Sequence, residues 1–118
     1  MKKLLRHKYG AISCERDSIK FPSKLERACY DYLKELQNAG SIRMFLRQIR
    51  FDLLGGGKHI VDYCLFTEEN VVFIEAKGRD LPLGKLKRKS AEALYDVDIH
   101  IAKKVSDIDD ILKKVKND

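Results

Sequence analysis

Asp62 and the tripeptide Glu75-Ala76-Lys77 bring two acids and an amine into one short stretch of this chain. Thirteen positions separate Asp62 from Glu75, and the stretch between them reads as a strand, a turn and a second strand. Residues two apart in a strand share a face, so Glu75 and Lys77 project together. If Asp62 faces the same way, two carboxylates and an ammonium converge. Paired carboxylates are hard-oxygen ligands for Mg²⁺, with Mn²⁺ a natural substitute, and the remaining positions usually go to water and phosphate oxygens. An ion held there lowers the pKa of a bound water, polarises a scissile phosphate and offsets charge developing on phosphorus. Lys77 would orient and stabilise the attacking hydroxide, as an ammonium or briefly as a base according to its pKa.

Plainer explanations stand beside this one. With seven Glu and sixteen Lys in the chain, about one Glu-x-Lys is expected by chance, and Glu75 and Lys77 could simply decorate a solvated strand face. Asp62 is harder to dismiss. It interrupts an apolar run, Ile60-Val61 and Tyr63-Cys64-Leu65-Phe66, where Asp is disfavoured and a buried carboxylate needs a partner or a metal. Glu26 closes a capping box, Ser23-Lys24-Leu25-Glu26, in which its side chain reaches back to the Ser23 N–H. On the flank of its helix's apolar stripe it could instead reach a metal site, but one rotamer cannot do both.

Three classes of element must position these residues. A helix from Ser23 to Gly40 carries Leu25, Ala28, Cys29, Tyr32, Leu33 and Leu36 on one stripe. A meander follows: Met44–Leu54, a turn at Gly55-Gly56-Gly57-Lys58, His59–Phe66, a second turn at 67–70, and Val71–Lys77. A second helix runs from Pro82 to about Leu94, with Leu83, Leu86, Ser90 and Leu94 expected inward. A fourth strand spans 97–102, and Ser106 is expected to cap a last helix bearing Ile108, Ile111, Leu112 and Val115. Asp107, Asp109 and Asp110 in its first turn suit the helix dipole. The order is α-β-β-β-α-β-α. Residues 1–18 read as a basic flexible arm and 19–118 as a single domain.

At 118 residues, with 44% hydrophobic and 36% charged, the chain suits one core and lacks a run long enough for a membrane span. No secretory or transit signal is read at the N-terminus, so a cytoplasmic location is expected. The net charge of +6 makes a polyanion a natural partner. It is concentrated before residue 95, since residues 95–118 are net −1. Cys14, Cys29 and Cys64 have neither ligand spacing nor even number, which argues for free buried thiols. His7, His59 and His100 lack a nucleophile at recognisable spacing, and Gly55-Gly56-Gly57 lacks the tail of a phosphate-binding loop.

The order Glu26, Asp62, Glu75, Lys77 on α-β-β-β-α-β resembles the PD-(D/E)xK nuclease superfamily, whose core is the restriction-endonuclease-like fold. Within it, the segments Ile19–Glu26, Gly40-Ser41-Ile42, Gln48, Asp62-Tyr63, Glu75–Gly78 and Leu86–Lys89 are similar to small uncharacterised phage-borne nucleases, over about residues 9–102. Val61 stands where the superfamily often has the signature proline. The resemblance implies that Asp62, Glu75 and the Ala76 carbonyl hold Mg²⁺, that Lys77 is the catalytic lysine and that Glu26 is an accessory ligand or water-positioning group. It implies a host-cytoplasmic protein if phage-encoded.

DNA is the expected partner. Lys85, Arg88 and Lys89 are expected outward on the second helix and Lys87 at its apolar edge, near the reacting phosphate; a merely solvated basic helix is the alternative. Gln48, opposite in direction to Ile49 and Phe51, could hold a phosphate or water or be plain surface, and Arg47 and Arg50 are similar. Lys2, Lys3, Arg6 and Lys8 would add salt-dependent affinity. Together these expectations describe a Mg²⁺-dependent deoxyribonuclease selective for branched or junction DNA, a homodimer if it cuts symmetrically, with the last helix or a sheet edge as interface. The alternatives are a non-catalytic nucleic-acid-binding protein of the same fold and a basic RNA-binding or interaction module.

Overall fold

Ser23 starts the first helix by accepting a hydrogen bond from the Glu26 N–H (3.0 Å), and this satisfies one of the donors a helix N-terminus leaves bare. The computed structural model describes residues 14–118; the arm residues Lys2, Lys3, Arg6 and Lys8, and His7, lie outside them. Helix α1 runs Lys24–Asn38. It stops where Gly40 takes a left-handed φ of 81° and the Ser41 N–H returns to the Leu36 carbonyl (2.9 Å), a conformation that costs glycine little.

Ahead of α1, Glu15–Arg16 (β1) and Ile19–Lys20 (β2) pair as a small antiparallel hairpin. Residues 14–18 are therefore built into the fold rather than belonging to a loose arm. The Phe21 N–H donates to the Cys14 carbonyl (2.8 Å), and Cys14 packs against the core.

The main sheet has four strands in the order β3-β4-β5-β6: Met44–Asp52, Lys58–Phe66, Val71–Ala76 and Ile99–Ala102. The first two junctions are antiparallel and the last is parallel. The parallel junction requires a crossover, which α2 (Pro82–Tyr95) supplies. Helix α3 (Asp107–Asn117) closes the chain. Leu54–Gly56 make a short 3₁₀ turn between β3 and β4.

Two cores lie on opposite sides of the sheet. Cys29, Tyr30 and Leu33 of α1 and Ile108 and Ile111 of α3 pack on Tyr63, Leu65, Val72, Ile74 and Ala102. On the other side Ala91 of α2 packs with Phe51, Val61 and Ile99. The result is a mixed four-stranded α/β sheet flanked by three helices. Cys14, Cys29 and Cys64 are free thiols, the last two buried.

Two expectations about helices are overturned. Leu83, Leu86 and Leu94 of α2 do not face inward; they are 64%, 64% and 44% exposed, while Arg88 and Ala91 are buried. Ala91 at the contact lets the helix lie close to the sheet, and Arg88 is drawn in by an ion pair. Ile108 and Ile111 of α3 are buried in the core, as their helical spacing predicts. Ser106 makes no side-chain cap; the Asp107 carboxylate instead accepts the Lys103 and Lys104 N–H groups (2.8 and 3.2 Å).

Candidate functional site

The sheet is interrupted at Asp62. Its register places Gln48 of β3 on one side of Asp62 and Glu75 of β5 on the other, and neither pair is bonded: the β3–β4 ladder omits Gln48 and Asp62, and the β4–β5 ladder stops at Tyr63↔Ile74. Gln48 has a left-handed φ of 56°, costly for a residue with a Cβ and a mark of a strained local backbone. Side-chain direction changes at the same point. Tyr63 and Leu65 pack on the α1/α3 side, but Val61 packs on the α2 side, so β4 rotates through Asp62 instead of alternating evenly.

The Asp62 carboxylate bridges the opening between β4 and β5. Its Oδ2 accepts the Ala76 N–H (2.9 Å), standing in for the missing ladder partner. The N–H and C=O of one strand residue point to the same side, so the Ala76 carbonyl is also directed at this opening. Burial raises the Asp62 pKa, and the Ala76 N–H and the charges of Lys77, Arg47 and His59 oppose that rise.

Glu75 is 1% exposed. Its Oε2 is held by the Nε2 of His59, and its Oε1 is buried with no hydrogen-bond partner among the described residues. Burial raises its pKa, the His59 hydrogen bond and charge and the Lys77 charge lower it, and Asp62 raises it again. Glu26 was expected on the flank of α1 and is instead central to its buried face, 3% exposed with Cys29, Tyr30 and Leu33. Its backbone serves the cap, but its side chain turns to the sheet. Oε2 accepts from Gln48 Nε2 (3.2 Å) and lies 3.5 Å from Arg47 Nη2, and the Glu26 carbonyl accepts the Tyr63 hydroxyl (2.6 Å). Burial, then the Asp62 charge, pushes the Glu26 pKa up to about 7 against Arg47 and Lys77.

Lys77, half-buried at the end of β5, is a cation whose charge is felt by all three carboxylates. Asp62, Glu75, Lys77 and Glu26 are thus brought into one electrostatic cluster around the ladder break, with Gln48 bonded to Glu26. Among the described residues no three Asp, Glu, His or Cys side chains form a ligand group. A divalent ion here would take Asp62, Glu75 and the Ala76 carbonyl, with water and substrate oxygens completing its shell, the partial protein set that Mg²⁺ accepts. The unpartnered Glu75 Oε1 fits that use, because a buried carboxylate oxygen left bare is costly.

The basic helix is only partly as expected. Lys85, Lys87 and Lys89 are exposed. Arg88 is 6% exposed and grips Asp80 with two hydrogen bonds (2.8 and 2.7 Å), so it is a structural clamp on the loop from Lys77 to α2 and not an outward DNA contact. Asp80 is held below the usual carboxylate range by Arg88. Arg50 pairs with Asp52 at the surface (2.8 Å), while Arg47 lies over the Phe21 ring, 4.6 Å from its centre.

His59, read from sequence as unremarkable, is the residue missed; Arg47, expected either at the site or on the surface, lies 3.5 Å from the Glu26 carboxylate. A signal for His59 existed: it shares strand parity with Val61 and is therefore directed inward like it. His100 stays remote, with Glu92, Asp98 and Lys114 around a surface cavity of about 680 Å³.

Fold and site together define an α/β protein with a buried carboxylate cluster at a break in its sheet. The chain belongs to the family whose model matches residues 6–109, described as a protein of unknown function, DUF1064. No curated protein and no solved structure matches it.

Proposed function

We propose that this protein is a Mg²⁺-dependent DNA endonuclease of the PD-(D/E)xK type with a restriction-endonuclease-like core. The observation that carries the proposal is the Glu75 Oε1, a buried carboxylate oxygen without a partner among the described residues, on the strand next to Asp62. Asp62, Glu75 and the Ala76 carbonyl would hold the ion, which supplies a lowered pKa for bound water and charge neutralisation at the scissile phosphate. Lys77 orients the attacking water and stabilises charge developing on the phosphate oxygens. Glu26, whose pKa is raised to about 7 by burial and the Asp62 charge, would serve as an accessory group that positions water or exchanges a proton within the cluster. Lys85, Lys87 and Lys89 would meet the DNA backbone.

The substrate we propose is branched or junction DNA, selected by shape and phosphate contacts. Symmetric cutting of such DNA calls for a homodimer. Among the described residues, the outward leucines of α2 and Met44 and Leu46 on the edge strand β3 are exposed apolar side chains that could serve one.

Nicking of plasmid and four-way-junction DNA with Mg²⁺ or Mn²⁺ tests the proposal. Cleavage is expected to vanish in EDTA and in Asp62→Ala and Lys77→Ala while DNA binding persists. Binding without any cleavage, in the parent chain and with either metal, would instead identify a non-catalytic nucleic-acid-binding protein; metal-independent preference for RNA would identify an RNA-binding module.

A further inference from the structure

We propose that His59 is the positioning residue of the metal site: it holds Glu75 through Oε2 so that Oε1 is the oxygen presented to the ion. The inference rests on the nuclease reading for its metal, but its own evidence is the local geometry. His59 is the second residue of β4, three positions before Asp62, and pairs in register with Phe51. The rotation of β4 at Asp62 places it on the Glu75 side of the sheet, where it is 7% exposed and Glu75 is 1% exposed.

A glutamate has three side-chain torsions, and burial alone does not choose which oxygen faces a ligand. The last torsion is broad and roughly two-fold, so the carboxylate plane needs a fixed donor. His59 Nε2 is that donor for Oε2. The consequence is an unequal pair of oxygens, one satisfied and one bare. The Nε2 that donates its hydrogen to Glu75 has no lone pair left for a metal, and in this positioning role the ion meets the oxygens of Asp62, Glu75 and Ala76, a set that favours Mg²⁺ and Mn²⁺ over Zn²⁺. Arg88, whose charge also reaches Glu75, is committed to Asp80 through two bonds and does not supply this donor.

Mn²⁺ titration calorimetry on the full chain tests the inference without reference to cleavage, using the parent, His59→Leu, His59→Gln and Glu75→Gln. Gln places an N–H donor close to the Nε2 position, whereas Leu keeps bulk and loses the donor. His59→Leu is expected to weaken Mn²⁺ binding by about 10–100-fold, the usual cost of losing an outer-shell partner, and His59→Gln to restore most of it. Unchanged affinity in His59→Leu overturns the inference, as does a His59→Gln variant that is folded yet binds no better than His59→Leu, since His59 would then be a ligand. If His59→Leu does not fold, nitrogen-15 spectra of the parent decide. His59 is expected to keep its hydrogen on Nε2 when Mg²⁺ is added, and its loss from Nε2 refutes a positioning role. A parent chain that binds no Mn²⁺ removes the metal-site reading and this inference with it, an outcome distinct from parental binding that His59 does not affect.

Discussion

Replacing Glu26 by Gln is expected to stabilise the metal-free protein at alkaline pH and to lose that advantage in acid. Glu26 has an ordinary pKa of 4.5 that burial and Asp62 lift to about 7 in the folded chain. Between those values the folded state binds more protons than the unfolded state, so stability falls as pH rises through the window. The Glu26 side chain is 4% exposed, which leaves little water to screen the cost. At about 1.36 kcal/mol per pH unit, keeping Glu26 ionised costs the folded protein about 3 kcal/mol above pH 7 and nothing below about pH 4. Gln keeps the shape, and its carbonyl oxygen can still accept from Gln48 Nε2, but it does not titrate. Urea unfolding in EDTA at about pH 8 and about pH 4 measures the difference. The parent is expected to lag Glu26→Gln by about 3 kcal/mol at the higher pH, on the order of 10 °C in Tm for a domain of this size, and to match it at the lower. A Glu26→Gln variant less stable than the parent at pH 8 would refute the reasoning, because attraction to Arg47 and Lys77 would then outweigh the desolvation of the carboxylate.

Three further outcomes follow from particular contacts. Lys77→Met is expected to lower the cleavage rate by about 100-fold or more, the scale of losing one charge-stabilising donor, with DNA affinity changed little, as read by single-turnover nicking and gel shift. Lys87→Gln and Lys89→Gln should each reduce the slope of log affinity against log salt by about 0.9 per lost phosphate contact; Arg88→Gln should leave that slope unchanged and lower Tm instead, since Arg88 is buried against Asp80. Ala91→Leu, at a fully buried point between α2 and the sheet, should cost about 1–3 kcal/mol by overpacking. Leu86→Ala, at a 64% exposed position, should stay within about 0.5 kcal/mol; the reverse ranking in urea unfolding would mean that α2 presents its leucines to the sheet.

The pattern of strands and helices was legible in the chain because local rules govern it. Ser23 and Gly40 bound α1 as a cap and a left-handed stop would, and alternation with glycine turns marks the meander that became β3, β4 and β5. Asp62 stood out for the same kind of reason, an acid in an apolar strand, and its register opposite Glu75 follows from the hairpin between them. The orientation of α2 was not legible. Its leucine stripe is the stronger helical signal, but Ala91 permits close packing on the sheet and Asp80 captures Arg88 from a loop eight residues earlier in the chain. Hydrophobic periodicity knows nothing of such an ion pair.

Spacing along a chain with a period of two or 3.6 therefore sets the elements, their order and the acids and lysine that could share one face. Long-range packing settles which way side chains turn once strands part: Gln48 in a left-handed backbone, β4 rotating at Asp62, Glu26 turned from its cap into the sheet, and His59 carried inward to Glu75. These depend on contacts between residues 16 to 22 positions apart. Local propensity does not reach so far, and burial and hydrogen-bond satisfaction, settled across the whole sheet at once, choose among orientations that the local pattern leaves equal.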